Sequence, residues 1–364
     1  MYSFEPTEEQ KMLVDAIRRF ASSDLRPNAH DADEAGQLPQ PLIEKGWELG
    51  FLQASVPESF GGFGERSAVT GVLAAEEMAW GDLAGALAVM SPGLFATPIL
   101  LVGSEEQKQA YLPGVIEAEW KPYTAALIEP SYDFDPNQLK TTAEDCGGEY
   151  ELNGEKAYVP YAHQAEALLV FANLAGATQG FIVPKGTAGV TVGECQKLLG
   201  IHALPVCKIA LKGVRVPKLD RLGGLLGHNF APVLDAQRVA MAAMAVGMSR
   251  AAFEYARDYA KERDVFGVKV AQKQAIAFML AEMATEIEAI RLLIWEAAWM
   301  LDNDNSEASK QAYLALTGAT DMAMMVTDRA VQILGGHGYI REHPVEMWMR
   351  NGRGIAMLNG LAIV

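Results

Sequence analysis

Cysteine is scarce: the 364-residue chain has 3, Cys146, Cys195 and Cys207. No two of them have the CxxC spacing and none stands beside a histidine pair. The sequence therefore supports neither a disulfide framework nor a metal site, and the thiols read as buried ones. Long apolar runs are missing too; nothing approaches the ~18 apolar residues that a membrane-spanning helix needs. Basic residues are in deficit, 30 Lys and Arg against 46 Asp and Glu, for a formal net charge of −16. That balance argues against nucleic acid and anionic membrane surfaces as partners, since both need a basic face to displace counterions. A small anionic ligand stays open, provided local arginines and loop amides work against the overall field. Met1–Gln10 has neither the basic n-region nor the apolar h-region of a secretory signal, so a cytoplasmic location is expected.

What is present is helical material. Half of the residues are apolar and 21% are charged, and Ala, Leu, Met and Glu abound, as in a soluble, mainly α protein. The length exceeds one ordinary domain, so two or three units sharing interfaces are expected. Thr7-Glu-Glu-Gln10 is a capping box, with Leu13, Val14, Ile17 and Phe20 following at helical spacing. Ser104-Glu-Glu-Gln107 is a second box, and Gly61-Gly62-Phe63-Gly64 after Pro57 reads as a turn. Residues 1–120 are thus expected to form a helical domain. From 121 to 225, short stretches with Val, Ile, Thr and Tyr alternate with Gly and Pro, which predicts a small β domain. Within it Tyr150–Leu152, Asn153-Gly154 and Lys156–Val159 read as a hairpin around a favoured turn dipeptide. Ala167–Phe171, Gly180–Val183 and Val206–Leu211 supply further strands. Residues 226–364 carry long apolar stripes at Val239–Tyr259, Gln274–Leu301 and Glu307–Leu334, the clearest being Ile276, Leu280, Met283, Ile287, Ile290 and Ile294. With a short helix near Pro344 they predict an antiparallel four-helix bundle.

Two segments of the last third are candidates for chemistry. In Glu262-Arg263-Asp264-Val265-Phe266-Gly267, followed by Gln274, an arginine beside a glycine turn can fork onto a pyrophosphate. In Gln332-Ile333-Leu334-Gly335-Gly336-His337-Gly338 a helix ends in a bare loop that a ligand can approach closely. Taken singly, the second is an ordinary helix C-cap and His337 a turn residue rather than a base.

The segments occur together with the Thr-Glu-Glu-Gln helix, Pro57–Gly64, Gly103–Gln107 with Tyr111-Leu112-Pro113, Gln274–Met283 and His343-Pro-Val-Glu346. In this order they resemble the acyl-CoA dehydrogenase family across nearly the whole chain. The resemblance implies a helical domain, a barrel-like middle β domain and a four-helix bundle, with FAD at a subunit interface. It also implies that Arg263, Phe266, Gln274, Gln332, Gly335, Gly336 and Gly338 grip the pyrophosphate and adenosine of a neighbour's flavin. Arg238 aligns with a substrate-binding arginine.

The half of the pattern that holds the flavin ring in its own subunit departs from the family. Ile128-Glu-Pro-Ser-Tyr-Asp-Phe-Asp135 stands where the family has Thr-Glu-Pro-Gly-x-Gly-Ser-Asp, so Ile128 and Phe134 replace hydroxyls. Pro160 has neither a hydroxyl nor an amide hydrogen to offer flavin N5. His202-Ala-Leu-Pro-Val206 replaces an Arg-Ala-Ser-Asp-Thr stretch. The two places where the family puts its catalytic glutamate hold Asn359 and Gln237, and an amide is no base at neutral pH. The family's terminal helix and Thr-x-x-Ile-Gln stretch have no counterpart before Val364. What is kept would serve a partner's flavin; what is lost would serve the chain's own. The resemblance therefore implies a catalytically silent subunit of a heterotetramer, completing the FAD site of an active sister. The complex would dehydrogenate an acyl-CoA and pass electrons to an electron-transfer flavoprotein. Two other expectations stay open: a homo-oligomeric enzyme with another base, such as Glu254 or Glu346, or a family member with altered chemistry.

Overall fold

The computed structural model describes residues 5–364. Met1–Phe4, part of the segment inspected for a secretory signal, lie outside the described residues. Both capping boxes close: Thr7 Oγ1 accepts the Gln10 N–H at 3.2 Å while Gln10 Oε1 accepts the Thr7 N–H at 2.9 Å, and Ser104 and Gln107 make the same exchange. They open α1 (Glu8–Phe20) and α7 (Glu105–Val115). Between these run α2 (Arg26–Ala35), α3 (Gln40–Trp47), α4 (Ala68–Gly81), α5 (Leu83–Met90) and α6 (Gly93–Val102). The last three are apolar around most of their circumference and buried, as a helix of that kind must be. Among the described residues no single helix is long and apolar enough to cross a membrane.

Asp82 ends α4 and caps α5, its Oδ2 accepting the Gly85 N–H at 2.7 Å. It is 2% exposed, and burial pushes its carboxyl up to about 6 against that hydrogen bond, with the Asp33 charge adding to the rise. A folded pKa above the unfolded one favours the protonated native state, so stability from this group is full below about pH 4 and is lost as pH rises through about 6. Asp82→Asn keeps an accepting oxygen without the charge. Its unfolding free energy in urea should therefore gain on wild type by roughly 2–3 kcal/mol between pH 4 and pH 7. A difference between the two proteins that does not change with pH would overturn this.

The middle layer is a seven-stranded sheet: β1 (Tyr123–Ala126), β2 (Thr142–Asp145), β3 (Glu149–Pro160), β4 (Ala167–Leu174), β5 (Ala177–Pro184), β6 (Val190–Cys195) and β7 (Val206–Pro217). The order is β1-β4-β2-β3-β7-β6, with β5 paired to β4. The period-2 alternation splits β4 and β5: Leu168, Val170, Phe181 and Val183 enter a core enclosed by the sheet, whereas Leu169, Phe171 and Ile182 join the core shared with the helices.

The expected hairpin at Asn153-Gly154 is absent, because β3 runs straight through that dipeptide. Asn153 Oδ1 instead accepts the Gly213 N–H at 2.7 Å, and the pairing with β7 shifts register at this point. Gly154 is a bulge residue with φ +151°, where a Cβ would lie 2.6 Å from Thr141 Oγ1. The tight turn lies later, at Ala175-Gly176, both with positive φ, between β4 and β5. The cysteines also differ from expectation: only Cys207 is buried, while Cys146 in the β2–β3 turn and Cys195 on edge strand β6 are exposed.

The last layer is a helical bundle of α8 (Ala231–Glu262), α9 (Gln274–Asp302), α10 (Ala308–Leu334) and the short α11 (Val345–Gly354). Alanines line α8, so its neighbours approach closely. Gly247 meets α4: a Cβ there would stand 2.0 Å from the Glu76 carbonyl oxygen.

Candidate cofactor site

The alternating directions of the long helices bring the C-terminus of α8, the N-terminus of α9 and the C-terminus of α10 to one end of the bundle. Arg263 caps α8, and a two-stranded hairpin of β8 (Asp264–Val265) and β9 (Val268–Lys269) follows. Its turn is Phe266-Gly267, with φ +55° and +82°, which leaves the Phe266 ring 94% exposed. The glycine loop after α10 is tied to the same end, for the Tyr259 hydroxyl and His337 Nδ1 are 3.0 Å apart. His337 also stacks on His343 at 5.2 Å between centroids.

The glycines of the loop differ in role. At Gly338 a Cβ would fall 2.3 Å from the Val331 carbonyl oxygen, so this residue lets the loop fold back on α10. At Gly335 and Gly336 a Cβ would meet nothing within 4 Å, and both are exposed. Arg263, Gln274 and Gln332 are exposed as well. Among the described residues their side chains have no hydrogen-bonding or ionic partner. Unused donors beside bare backbone are what a phosphate-bearing ligand needs.

The second group of residues, around β3, offers the opposite surface. Ile128 is 6% exposed and Pro160 is buried on β3 opposite Val206. Nearby backbone groups are already used: Tyr158 N–H donates to Gln196 Oε1 at 3.0 Å, Tyr161 N–H to the Pro205 carbonyl at 2.9 Å, and Ala157 N–H to the Ile128 carbonyl at 2.8 Å. Tyr161 packs edge-on against Trp120, and burial raises its phenol well above the usual range. Phe134 is half-buried against the shared core. Of the His202–Val206 stretch, Ala203 and Leu204 are buried, and His202 Nε2 contacts the Leu198 carbonyl at 2.9 Å.

A buried ion pair, not foreseen from sequence, holds this wall. Lys156, 0% exposed, reaches Glu129 Oε1 at 2.9 Å and the Leu127 carbonyl at 3.1 Å. Burial pulls Lys156 down to about 8 against the pull of Glu129. Glu129 ends below its ordinary value, since Lys156 and the donors of Thr141 and Lys140 outweigh its own burial.

The two base positions are orphans. Gln237 on α8 is 0% exposed, and neither its amide oxygen nor its nitrogen has a partner among the described residues; the same holds for the buried Oδ1 of Asn359. Arg238 is engaged with Asp235 at 3.0 Å and lies over the Tyr313 ring. The alternative bases are engaged too: Glu254 accepts the Trp80 indole N–H at 2.8 Å, and Glu346 accepts Arg350 Nε at 2.8 Å.

Directly after Asn359 the chain turns at Gly360, φ +106°, against Leu127 and Ile128, and Leu361–Val364 enter an apolar slot between α4 and α6. Val364 lies where only Gly71 gives room, Ile363 lies against Gly93, and Arg66 donates to the Val364 carbonyl at 2.6 and 3.1 Å. A cavity of about 70 Å³ remains beside them. The run of four apolar residues, Leu361-Ala-Ile-Val364, was the available sequence signal for this burial.

Models for the acyl-CoA dehydrogenase N-terminal, middle and C-terminal domains match residues 7–119, 124–214 and 230–362. The chain is 36% identical to the mitochondrial short-chain specific acyl-CoA dehydrogenase of Sus scrofa, over 96% of this chain and 86% of that protein. It is 35% identical to the caffeyl-CoA reductase-Etf complex subunit CarC of Acetobacterium woodii, over 98% of this chain and 96% of that one. The structure of butyryl-CoA dehydrogenase from Megasphaera elsdenii aligns with a TM-score of 0.88 and 31% identity, covering 100% of this chain and 96% of its own. The chain belongs to the acyl-CoA dehydrogenase family.

Proposed function

We propose that the chain is the non-catalytic subunit of a heterotetrameric acyl-CoA dehydrogenase, completing the FAD site of an active sister subunit. FAD is the cofactor of the family. The residues present fit one end of it and not the other. Arg263, Gln274 and Gln332, with the bare backbone of Gly335 and Gly336, suit the pyrophosphate and adenosine. Gly338 keeps the loop in place, and the exposed Phe266 ring is available to a neighbour. Ile128, Pro160 and the hydrogen-bonded backbone around them offer no donor to a flavin ring.

FAD, when bound, supplies the acceptor for hydride from the acyl β-carbon. The chain's own residues supply no base for the α-proton, because Gln237 and Asn359 are amides. The burial of Leu361–Val364 next to Asn359 supports the same conclusion, since apolar space adjoining the base position is filled by the chain itself. The observation that carries the proposal is this contrast between free donors at the bundle end and the buried Ile128 and Pro160 at β3, whose side chains offer none. Dehydrogenation of an acyl-CoA by the complex, with electrons passing to an electron-transfer flavoprotein, belongs to lipid metabolism and to the cytoplasm. The likeness to a reductase–Etf complex subunit supports that electron partner.

The test is flavin content. Purified alone, the chain should hold far less than one FAD per subunit, and neither Asn359→Glu nor Gln237→Glu should oxidise octanoyl-CoA with an artificial acceptor. A yellow homo-oligomer with stoichiometric FAD that turns over a thioester would sink the proposal.

A further inference from the structure

Cys195 and Cys207 are twelve positions apart in sequence but face each other across the β6–β7 pairing. Their Sγ atoms are 2.7 Å apart, in direct contact. Directly opposed residues on antiparallel strands have Cα separations of about 4.5–5.5 Å, within the range a disulfide spans. One partner is exposed and the other buried, with Cys207 1% exposed. His163 is the third member of the group: one of its ring nitrogens and both sulfurs lie within 4.8 Å of one another.

We propose that Cys195 and Cys207 form a thiol–disulfide couple, with Cys195 attacking a low-molecular-weight disulfide and Cys207 resolving the adduct. In the first step the Cys195 thiolate forms a bond to one sulfur of the external disulfide and releases the other as a thiolate. In the second, the Cys207 sulfur attacks Cys195 Sγ, the mixed disulfide breaks, and a second small thiolate leaves. Two protein thiols are oxidised, one external disulfide is reduced to two thiols, and the two cysteine protons end on those products. Burial and the Cys195 contact push the Cys207 thiol up, which disfavours it as first attacker and leaves that step to the exposed Cys195. His163 is one water away at most, placed to take the Cys207 proton.

Closing the bond would cross-link the two ends of the Gln196–Val206 segment. That segment joins the layers: Ile201 N–H donates to Asn351 Oδ1 at 2.7 Å, and the Leu199 carbonyl accepts Arg350 at 3.1 Å. It also lines a cleft of about 680 Å³ facing α2 and α3. The couple therefore adds a covalent tie to a base that the Gln196 N–H already holds by donating to the Val206 carbonyl at 2.8 Å.

Intact mass and peptide mapping of the whole reduced chain after incubation with oxidised glutathione provide the test. The expected result is a Cys195–Cys207 linked peptide that has lost two hydrogens, with Cys146 outside the linkage. Cys207→Ser should instead accumulate a lasting glutathione adduct on Cys195, and Cys195→Ser should leave Cys207 unmodified. A wild-type chain that keeps both thiols, or carries a lasting adduct on Cys195, overturns the proposal. So does a chain whose two thiols are masked only by added Zn²⁺, without loss of hydrogen. The wild-type measurement decides even where a variant folds poorly.

Discussion

Arg263→Ala in this chain should empty flavin sites whose catalytic residues lie on the other subunit, lowering FAD affinity of the co-purified complex about ten- to a hundredfold. The guanidinium is exposed and has no partner among the described residues, so none of its charge is committed within the subunit. A pyrophosphate brought into a largely buried interface needs such a donor, and a charge-assisted bond left unmade there costs about 1.5–3 kcal/mol. The two loop glycines separate binding from folding. Gly336→Val adds a side chain where the isolated chain has open space, so it should block flavin approach while leaving the melting temperature close to wild type. Gly338→Val collides with the Val331 carbonyl and should destabilise the loop itself. Asn359→Ala should leave turnover almost unchanged. If Arg263→Ala kept flavin and activity while Asn359→Ala abolished turnover, the donated and vacant halves would have to be exchanged.

Removing the Arg350 side chain should destabilise the fold by about 3–5 kcal/mol, readable as a shifted urea midpoint, because it leaves two buried carboxylates with only the more distant His202 and Arg341 beside them. Arg350 reaches Asp33 at 2.6 Å and Glu346 at 2.8 Å, all three largely buried, and adds a hydrogen bond to the Leu199 carbonyl. Burial alone would lower its pKa; Glu346 and Asp33 outweigh that and hold it above the ordinary value. It thus pins α2, α11 and the β6–β7 segment at one point. Arg350→Lys should recover only part of the loss, as an ammonium has no fork for two carboxylates. A loss no greater than that of an exposed ion pair, under about 1 kcal/mol, would show that the site relaxes without it.

The order of three layers was legible because it is written in local periodicity, and the capping boxes at Thr7 and Ser104 because both partners lie within one helical turn. Asn153-Gly154 misled for the opposite reason. Its turn preference is local, but a Gly213 amide on β7 captures the Asn153 side chain and Thr141 crowds Gly154, so tertiary contacts override it. The actual turn was invisible, since Ala175 is not a residue that advertises positive φ. At the candidate site, the motif residues around Arg263 and Gly336 were readable as a group. What they do not reveal is which donors are already used. That Arg263 is free and Arg238 occupied by Asp235 follows from contacts three-dimensional in origin. The Cys195–Cys207–His163 group was hidden likewise, because register, not spacing, brings it together.

The burial of Leu361–Val364 also governs the order of assembly. The Arg66–Val364 contact joins residues 298 positions apart, so α4 and α6 emerge from the ribosome long before the segment that covers them. A chain of this length ordinarily folds its N-terminal part first. Here that part keeps an open apolar slot, exposed to chaperones and to neighbouring nascent chains, until Leu361–Val364 have emerged.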